Sequence, residues 1–373
     1  MVNKSKHVSK NDDDSFDVIE FVQRHLASSS WLNERTQVYT PKELRELVKL
    51  VIDILKKEPV LATMSPPCTI VGDIHGQFVD LLRILNSRSK VGAENKKDID
   101  LGCITSRFVF LGDFVDRGSF SVECISLMFG LKVIYPKQYS LLRGNHETKA
   151  VNFAYGFREE LVNKLGQAEG VEIWEHFNEA FSWMPLAGLV GGRILCMHGG
   201  ISPALNSLDD IRNIKRPIVD LNENKLALDL LWSDPANNMS VNLINEEPQF
   251  LCNVVRGLSC TFNAPAVREC VKKLNVQLIV RAHQVQDQGF TFSADRKLVT
   301  VFSAPNYMNE NDNQGAVIKV AANGRISIAV FRSAKKNNNK MKGAQQVTKG
   351  TSTESTKKTQ TTSTSSKSVT VTK

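Results

Sequence analysis

The 373-residue sequence predicts a layered α/β fold, and three patterns along the chain support this prediction. In the first half, helical periodicity alternates with short apolar runs, as in folds that pack helices against sheets. The capping box at Thr40, Pro41 and Glu43 marks the start of one such helix. From Leu186 onward short strands dominate, and Gly191-Gly192 predicts a hairpin turn between two of them.

The individual elements follow from the apolar stripes and the turns between them. The helix after Thr40 has an apolar stripe over residues 44–55. The next predicted elements are a strand at Thr69–Val71, a helix at Phe78–Leu85, a strand at Phe108–Leu111, a helix at Val122–Ile134 and a strand at Tyr139–Leu142. The later strands are Leu186–Val190 and Arg193–Met197, followed by two apolar strands on either side of Asn323-Gly324.

The net charge of +8 comes from the C-terminal tail. Residues 335–373 contain nine lysines and one glutamate, which leaves 38 basic and 38 acidic residues in the rest of the chain. Low apolar content predicts disorder for residues 1–15 and 334–373, on either side of a catalytic domain at 16–333 that carries a polar surface loop at 87–106. A neutral body argues against nucleic acid as its substrate; the tail could either solubilise the protein or bind an anionic surface.

Cysteine usage and hydropathy bear on the compartment. The seven cysteines are odd in number and scattered, which predicts reduced thiols and a cytoplasmic or nuclear location. Two of them, Cys196 and Cys252, are expected in the core. No apolar run is long enough to span a membrane, and the N-terminus lacks the apolar stretch of a secretory signal.

Five strand-end segments carry side chains that bind metals. They are GDIHG at 72–76, GDFVDRG at 112–118, RGNHE at 143–147, HGG at 198–200 and RAHQ at 281–284. Four of the seven histidines lie in these segments, whereas His25 and His176 lie on helical stretches and are expected to be structural. Asp, Asn and His together suit manganese, iron or zinc better than calcium.

These segments, with SAPNY at 303–307, resemble the signature segments of the phosphoprotein phosphatase family of metal-dependent serine/threonine phosphatases. The resemblance covers about residues 16–333 and is strongest to the type-1 catalytic subunits. It implies a layered metallophosphatase fold, with a central β-sandwich flanked by helices and a dinuclear metal site at strand ends. It also implies a protein-serine/threonine phosphatase that hydrolyses phosphoserine and phosphothreonine directly, with a metal-bridging hydroxide as the nucleophile.

Carried over position by position, the resemblance implies two divalent metal ions, with manganese expected in vitro and iron or zinc as alternatives. The ligands would be Asp73, His75 and Asp113 for the first ion, and Asp113, Asn145, His198 and His283 for the second. A carboxylate shared by two cations screens their mutual repulsion, and the pair of cations acidifies the water between them.

The same resemblance assigns the remaining roles. His146 would protonate the leaving oxygen, and Asp116 would orient its imidazole. The groups that would contact the phosphate or substrate are Arg117, Arg256, Asn145 and Tyr307. Asp234 would orient either water or Arg256. Arg143 is interpreted as structural, and Glu147 as either structural or a group at the edge of the substrate site.

Regulatory subunits are the expected partners, together with phosphoprotein substrates. Type-1 subunits bind short RVxF-type peptides in an apolar groove, and the matching positions here are Ile194, Leu278, Phe292, Arg296 and Val299. Two other functions stay open. The same scaffold supports metallophosphodiesterases, and a non-catalytic binding protein would have the same fold, although such members usually lose metal ligands.

Overall fold

The computed structural model describes residues 16–27, 38–86, 106–236 and 247–333. The predicted terminal segments 1–15 and 334–373 lie outside the described residues, and so does the predicted loop except for Ser106. The division into these domains therefore stays a prediction.

The helices lie mainly in the first two thirds of the described chain. In chain order they are α1 (Val18–Leu26), α2 (Pro41–Leu55), α3 (Phe78–Leu85), α4 (Ser121–Ile134), α5 (Lys149–Ala154), α6 (Phe157–Leu165), α7 (Gln167–Ser182), α8 (Leu208–Arg212), α9 (Lys225–Trp232) and α10 (Ala264–Lys273). None of these described helices combines the length and the apolar character that crossing a bilayer requires.

The described strands form two large sheets and one small one. In chain order they are β1 (Leu61–Met64), β2 (Cys68–Val71), β3 (Phe108–Phe110), β4 (Tyr139–Leu141), β5 (Ala187–Val190), β6 (Ile194–Met197), β7 (Asp234–Pro235), β8 (Phe250–Cys252), β9 (Cys260–Phe262), β10 (Leu278–Arg281), β11 (Phe290–Ser293), β12 (Leu298–Val301), β13 (Gly315–Val320) and β14 (Ile326–Phe331). The strand orders are β1-β5-β6-β10-β12-β11, β14-β13-β2-β3-β4 and β7-β9-β8.

Three apolar layers hold the two large sheets and the helices together. Between the sheets, side chains such as Ile70, Val109, Val280 and Val301 form the interior of a β-sandwich. The outer face of the five-stranded sheet packs against α1 to α4 and α7. The outer face of the six-stranded sheet packs against α8 to α10. The predicted layered α/β architecture, with a central β-sandwich flanked by helices, is confirmed.

Most predicted elements are present, with ends displaced by one residue at most. The capping box at Thr40 forms, with Pro41 in the first turn. The hairpin turn places Gly191 and Gly192 at positive φ between β5 and β6. Of the two cysteines expected in the core, Cys196 is buried but Cys252 is exposed. The second assignment was wrong because Cys252 lies on β8, an edge strand of the small sheet, where both Leu251 and Cys252 are exposed.

Helix α1 is docked by a buried histidine. Nδ1 of His25 donates to the carbonyl of Phe21 at 2.7 Å, and Nε2 lies 2.7 Å from the hydroxyl of Tyr39. The neutral ring therefore satisfies both of its nitrogens, as its predicted structural role requires. Burial lowers the pKa of His25 to about 4.

The low pKa of His25 predicts that protonation of this residue destabilises the folded protein in acid. The unfolded chain, with a histidine pKa of about 6.5, binds the proton more tightly than the folded chain. The free energy of unfolding therefore decreases as the pH falls from about 6.5 toward about 4. Between about pH 7.5 and about pH 5 the free energy of unfolding should fall by roughly 2 kcal/mol more in wild type than in His25→Gln, measured by urea titration. His176→Gln is the control that should keep the wild-type dependence; an unchanged dependence in His25→Gln would contradict the assignment.

Candidate metal centre and catalytic site

The candidate metal-binding side chains follow strands of both large sheets. Strands β2, β3 and β4 are parallel, and so are β6 and β10. The carboxyl ends of parallel strands share one edge of a sheet, which is where ligand sites usually form. The predicted site residues that follow these strands are Asp73 and His75 after β2, Asp113 and Asp116 after β3, Asn145 and His146 after β4, His198 after β6 and His283 after β10.

The backbone of these loops adopts unusual conformations. His75, Asp113 and His283 have positive φ angles of 46°, 54° and 65°, a region that is costly for residues other than glycine. Close approach adds a second requirement, because a Cβ atom at Gly144 would lie 2.2 Å from Oδ1 of Asp113. Strong local contacts are therefore needed to hold the loops in place.

A first group of converging side chains contains Asp73, His75 and Asp113, all buried. Nε2 of His75 lies 3.8 Å from Oδ2 of Asp73 and 3.4 Å from Oδ2 of Asp113. Nδ1 of His75 lies 3.0 Å from the carbonyl oxygen of Val115, so Nδ1 carries the proton and Nε2 keeps its lone pair. Burial lowers the pKa of His75 to about 3 and keeps the ring neutral.

A second group converges on Nε2 of His198. This nitrogen lies 3.3 Å from Oδ2 of Asp113, 2.8 Å from Oδ1 of Asn145 and 3.1 Å from Nδ1 of His283. The other ring nitrogen, Nδ1, donates to the carbonyl of Leu111 at 3.1 Å. Four buried ligand atoms from four different loops therefore face one another.

The chemistry of this second group fits a cation. Carboxylate oxygen, amide oxygen and imidazole nitrogen are all acceptors, and they repel one another unless positive charge lies among them. Although burial acts to lower it, the Asp113 carboxylate raises the pKa of His198, because a positive charge on the ring would be attracted to that anion. Among the described residues, ligand atoms of His75, Asp113 and His146, and of Asp113, His198 and His283, lie within 4.8 Å of one another.

Asp113 belongs to both groups. Its Oδ2 atom is the one that faces His75 and His198, at 3.4 and 3.3 Å. Its Oδ1 atom accepts the backbone N–H of His146 at 3.0 Å. One carboxylate oxygen is thus fixed by the backbone, while the other lies between the two groups, as a bridging ligand requires.

Glu147 holds the loop that carries Asp113. Its carboxylate accepts the backbone N–H groups of Asp113 and Phe114 at 2.8 Å each and that of Gly144 at 2.9 Å. Arg143 donates to the carbonyl of Glu147 at 2.9 Å. The sequence indicated a structural role for Arg143 and either a structural or a substrate-edge role for Glu147, and these contacts favour the structural role for both. The sequence could not show that Glu147 binds three N–H groups, because these partners are backbone atoms.

Negative charge accumulates at this site. Burial, and then the Asp113 carboxylate, raise the pKa of Asp73 to about 6 and that of Glu147 to about 7. For Asp113 burial acts in the same direction, but the neighbouring imidazoles, His198 first, hold its pKa well below the usual value. Divalent cations would relieve the repulsion between these carboxylates.

His146 and Asp116 form a pair beside the first group. Nδ1 of His146 lies 2.6 Å from Oδ2 of Asp116, and its Nε2 faces Oδ2 of Asp113 at 4.0 Å. Oδ1 of Asp116 accepts the backbone N–H of Phe157 at 2.9 Å. Burial acts to lower the pKa of His146, but Asp113 and the hydrogen bond to Asp116 raise it. The ring is thus oriented with Nε2 toward the metal-binding side chains, and its charged form is stabilised.

Two of the predicted substrate-binding residues line one side of the site. A cavity of about 150 Å³ is bordered by His75, Arg117, Tyr307 and Met308. Arg117 is exposed, and its guanidinium lies 4.0 Å from the ring centroid of Tyr155. The Tyr307 ring lies 5.1 Å from that of His75.

Arg256 lies beside His283. Its Nη2 donates to the carbonyl of His283 at 3.1 Å, and its Nε lies 2.8 Å from Oδ2 of Asp234. Asp234 therefore orients Arg256, one of the two roles considered for it. Its other oxygen binds Arg281 at 2.9 Å. Arg281 is fully buried and also donates to the carbonyl of Gly199. Sequence reasoning gave Arg281 no role, although it lies in the segment that carries His283.

Comparisons with known proteins agree with this geometry. A family model described as calcineurin-like phosphoesterase matches residues 66–287, which is more than half of the chain. A protein serine/threonine phosphatase from Saccharomyces cerevisiae, described as similar to human phosphatase PP5, is 28% identical with a TM-score of 0.71, over 86% of this chain and 98% of its own.

Two cold-active protein tyrosine phosphatase structures share the fold. One is 16% identical with a TM-score of 0.51, over 74% of this chain and 80% of its own. The other, from a psychrophilic Shewanella species, is 15% identical with a TM-score of 0.50, over 79% of this chain and 83% of its own. At this identity the likeness concerns the fold alone. With these matches the predicted metallophosphatase fold is confirmed.

The contacts of Glu147 predict a large effect of its removal. Glu147→Ala leaves three buried N–H groups without their acceptor, each at a cost of about 1–3 kcal/mol. The variant should lose at least about 3 kcal/mol of unfolding free energy and hold less metal than wild type, measured by denaturant titration and elemental analysis.

A matched control is Glu172→Ala. Glu172 pairs with Arg45 at 2.8 Å on the surface, and such pairs contribute about 0–1 kcal/mol. Equal losses of stability in the two variants would show that Glu147 does not hold the Asp113 loop.

Proposed function

Because this chain belongs to the calcineurin-like phosphoesterase family, we propose that it is a metal-dependent protein phosphatase acting on phosphoserine and phosphothreonine. The observation that carries the proposal is the arrangement of His146. It is fixed at Nδ1 by Asp116 at 2.6 Å and points Nε2 toward the shared carboxylate of Asp113. A proton donor fixed beside a dinuclear ligand set suits hydrolysis of an ester with a poor leaving group.

Two divalent ions are the proposed cofactors. Asp73, His75 and Asp113 would hold one, and Asp113, Asn145, His198 and His283 the other. When bound, such ions lower the pKa of water and neutralise charge on the phosphoryl group. The mixed nitrogen and oxygen donors favour manganese in vitro, with iron or zinc as the alternatives in the cell.

The side chains around the proposed ions supply the proton for the leaving group and bind the phosphate. His146 donates its Nε2 proton to the departing serine or threonine oxygen, and Asp116 stabilises the imidazolium before that transfer. Arg117 borders the same cavity as His75, Arg256 contacts His283, and both have planar guanidinium groups suited to phosphate oxygens. Asn145 and Tyr307 complete the wall that faces the substrate.

The comparisons and the charge of the chain favour a phosphoprotein as the substrate. The yeast relative is described as a protein serine/threonine phosphatase, which favours phosphoproteins. Equal numbers of basic and acidic residues before the tail argue against a nucleic-acid phosphodiesterase, the second candidate, since such enzymes usually carry a basic surface. The arginine pair also favours the more highly charged monoester.

Regulatory subunits are proposed as partners, with an RVxF-type groove as the docking site. Ile194, Leu278 and Val299 lie on adjacent strands β6, β10 and β12 and are buried in the sandwich. Phe292 lies on the edge strand β11, and the Arg296 guanidinium lies 4.4 Å from its ring centroid. A peptide added along this edge would contact Phe292 and Arg296. A labelled RVxF peptide should bind saturably, and its failure to do so would remove this proposal.

A cytoplasmic or nuclear location is proposed from the cysteines. All six cysteines among the described residues are free, and five are buried. Free buried thiols are typical of proteins that fold in a reducing compartment.

The proposed function predicts that His146→Asn separates metal binding from catalysis. Phosphate release from a phosphoserine peptide should fall by roughly 10²–10⁴-fold, while metal content stays near wild type because His146 is outside the proposed ligand set. His176→Asn, on helix α7, should retain activity. Unimpaired hydrolysis by His146→Asn would exclude it as the proton donor.

Monoester and diester substrates distinguish the two candidate functions. With the metals supplied, the wild-type chain should hydrolyse phosphoserine peptides much faster than bis-nitrophenyl phosphate. A preference for the diester would favour the phosphodiesterase instead.

A further inference from the structure

The hairpin between β8 and β9 presents apolar side chains beside the proposed phosphate site. Val254 and Val255 directly precede Arg256, and they are 87% and 85% exposed, the highest values among the described large hydrophobic residues. Leu251, the middle residue of β8, is 61% exposed. These three residues are called the apolar rim. Isolated exposed apolar residues are common, but adjacent ones next to a site indicate a contact surface.

The apolar rim is held rigidly from both sides. On one side, the buried Asn253 donates to Oδ2 of Asp234 at 3.0 Å, and its carbonyl accepts the N–H of Gly257 at 2.9 Å. On the other side, Arg256 pairs with the same oxygen of Asp234 at 2.8 Å. The two valines lie between these anchors, and their β-branched side chains have few rotamers to lose. Binding against them therefore has a small entropic cost.

The chemistry of the hairpin selects against charged ligands. Residues 250–255 (FLCNVV) include no charged side chain. A charged group placed against Val254 and Val255 would lose hydration without gaining a partner, whereas an apolar group would remove surface from water on both sides. The occupant that this surface favours is an aliphatic side chain.

We propose that the apolar rim determines substrate specificity, by contacting aliphatic residues that flank the phosphorylated residue of a protein substrate. This inference rests on the proposed function, since it requires that Arg256 binds the phosphate. The Cα atoms of Val255 and Arg256 are about 3.8 Å apart, and an extended peptide advances about 3.3–3.6 Å per residue. Leu, Ile or Val one to three positions from the phosphoserine would therefore reach the apolar rim.

The test compares phosphoserine peptides that differ only in these flanking positions. One set carries leucine on either side of the phosphoserine, and the matched sets carry glutamate or lysine there. For wild type, kcat/KM should be roughly tenfold higher for the leucine set than for either charged set, the lower end of what one aliphatic contact contributes.

Isosteric variants assign the preference to the apolar rim. The double variant Val254→Thr/Val255→Thr keeps the branched shape but adds two hydroxyl groups, and its ratio of kcat/KM values should fall to within about twofold. Val255→Glu is a second test: its kcat/KM values should shift in favour of the peptides with flanking lysine. The control is Val219→Thr, at a residue 75% exposed elsewhere on the surface, and it should keep the wild-type ratio.

The outcomes separate this inference from the function on which it rests. Hydrolysis of all peptide sets at equal rates by wild type, or an unchanged ratio in the threonine double variant, overturns the role of the apolar rim while leaving the phosphatase intact. Failure to hydrolyse any phosphopeptide, with the metals bound, overturns the proposed function itself. A preference for charged flanks that both valine variants retain would assign specificity to other residues.

Discussion

Two buried imidazoles approach the same carboxylate oxygen, Oδ2 of Asp113, at 3.4 and 3.3 Å. A buried anion surrounded by other acceptors is costly unless cations compensate it. The sheets, the loops with positive φ and the buried hydrogen bonds all serve to hold this unfavourable arrangement. The clustered acceptor side chains oppose folding because they repel one another. The same cluster concentrates negative charge at the place where the proposed divalent ions would bind.

Two buried or half-buried carboxylates outside the proposed ligand set hold the loops in place. Glu147 binds three backbone N–H groups around the Asp113 loop. In a similar way, Glu160 accepts the N–H of Ser121 at 2.8 Å at the start of α4, and the Ser121 hydroxyl accepts the N–H of Asp116 at 3.0 Å. A chain of contacts therefore extends from the helical layer to Asp116, which pairs with His146. Residues of the helical layer therefore help to position Asp116 and, through it, the proposed proton donor His146.

That the proposed ligands lie close together could be predicted from sequence, because each follows an apolar strand and all but His283 adjoin a glycine. Contacts with backbone atoms could not be predicted, since the partners of Glu147 become neighbours only after the sheets pair. The same limit explains Arg281 and Cys252. The sequence did not show whether Arg281, at the end of a strand, would be fully buried or exposed. The apolar run around Cys252 did not reveal that this hairpin extends to the protein surface. The apolar rim was missed for that reason.

The shared oxygen of Asp113 makes the two proposed metal sites interdependent, and the stoichiometry of bound metal tests this claim most directly. Elemental analysis of wild type and Asp113→Asn, each purified with manganese, measures it. The account predicts two ions per wild-type molecule and loss of both in the variant, because neither remaining ligand set has enough negative charge to hold a divalent cation. A wild-type chain that holds one ion, or a variant that retains two, would contradict it.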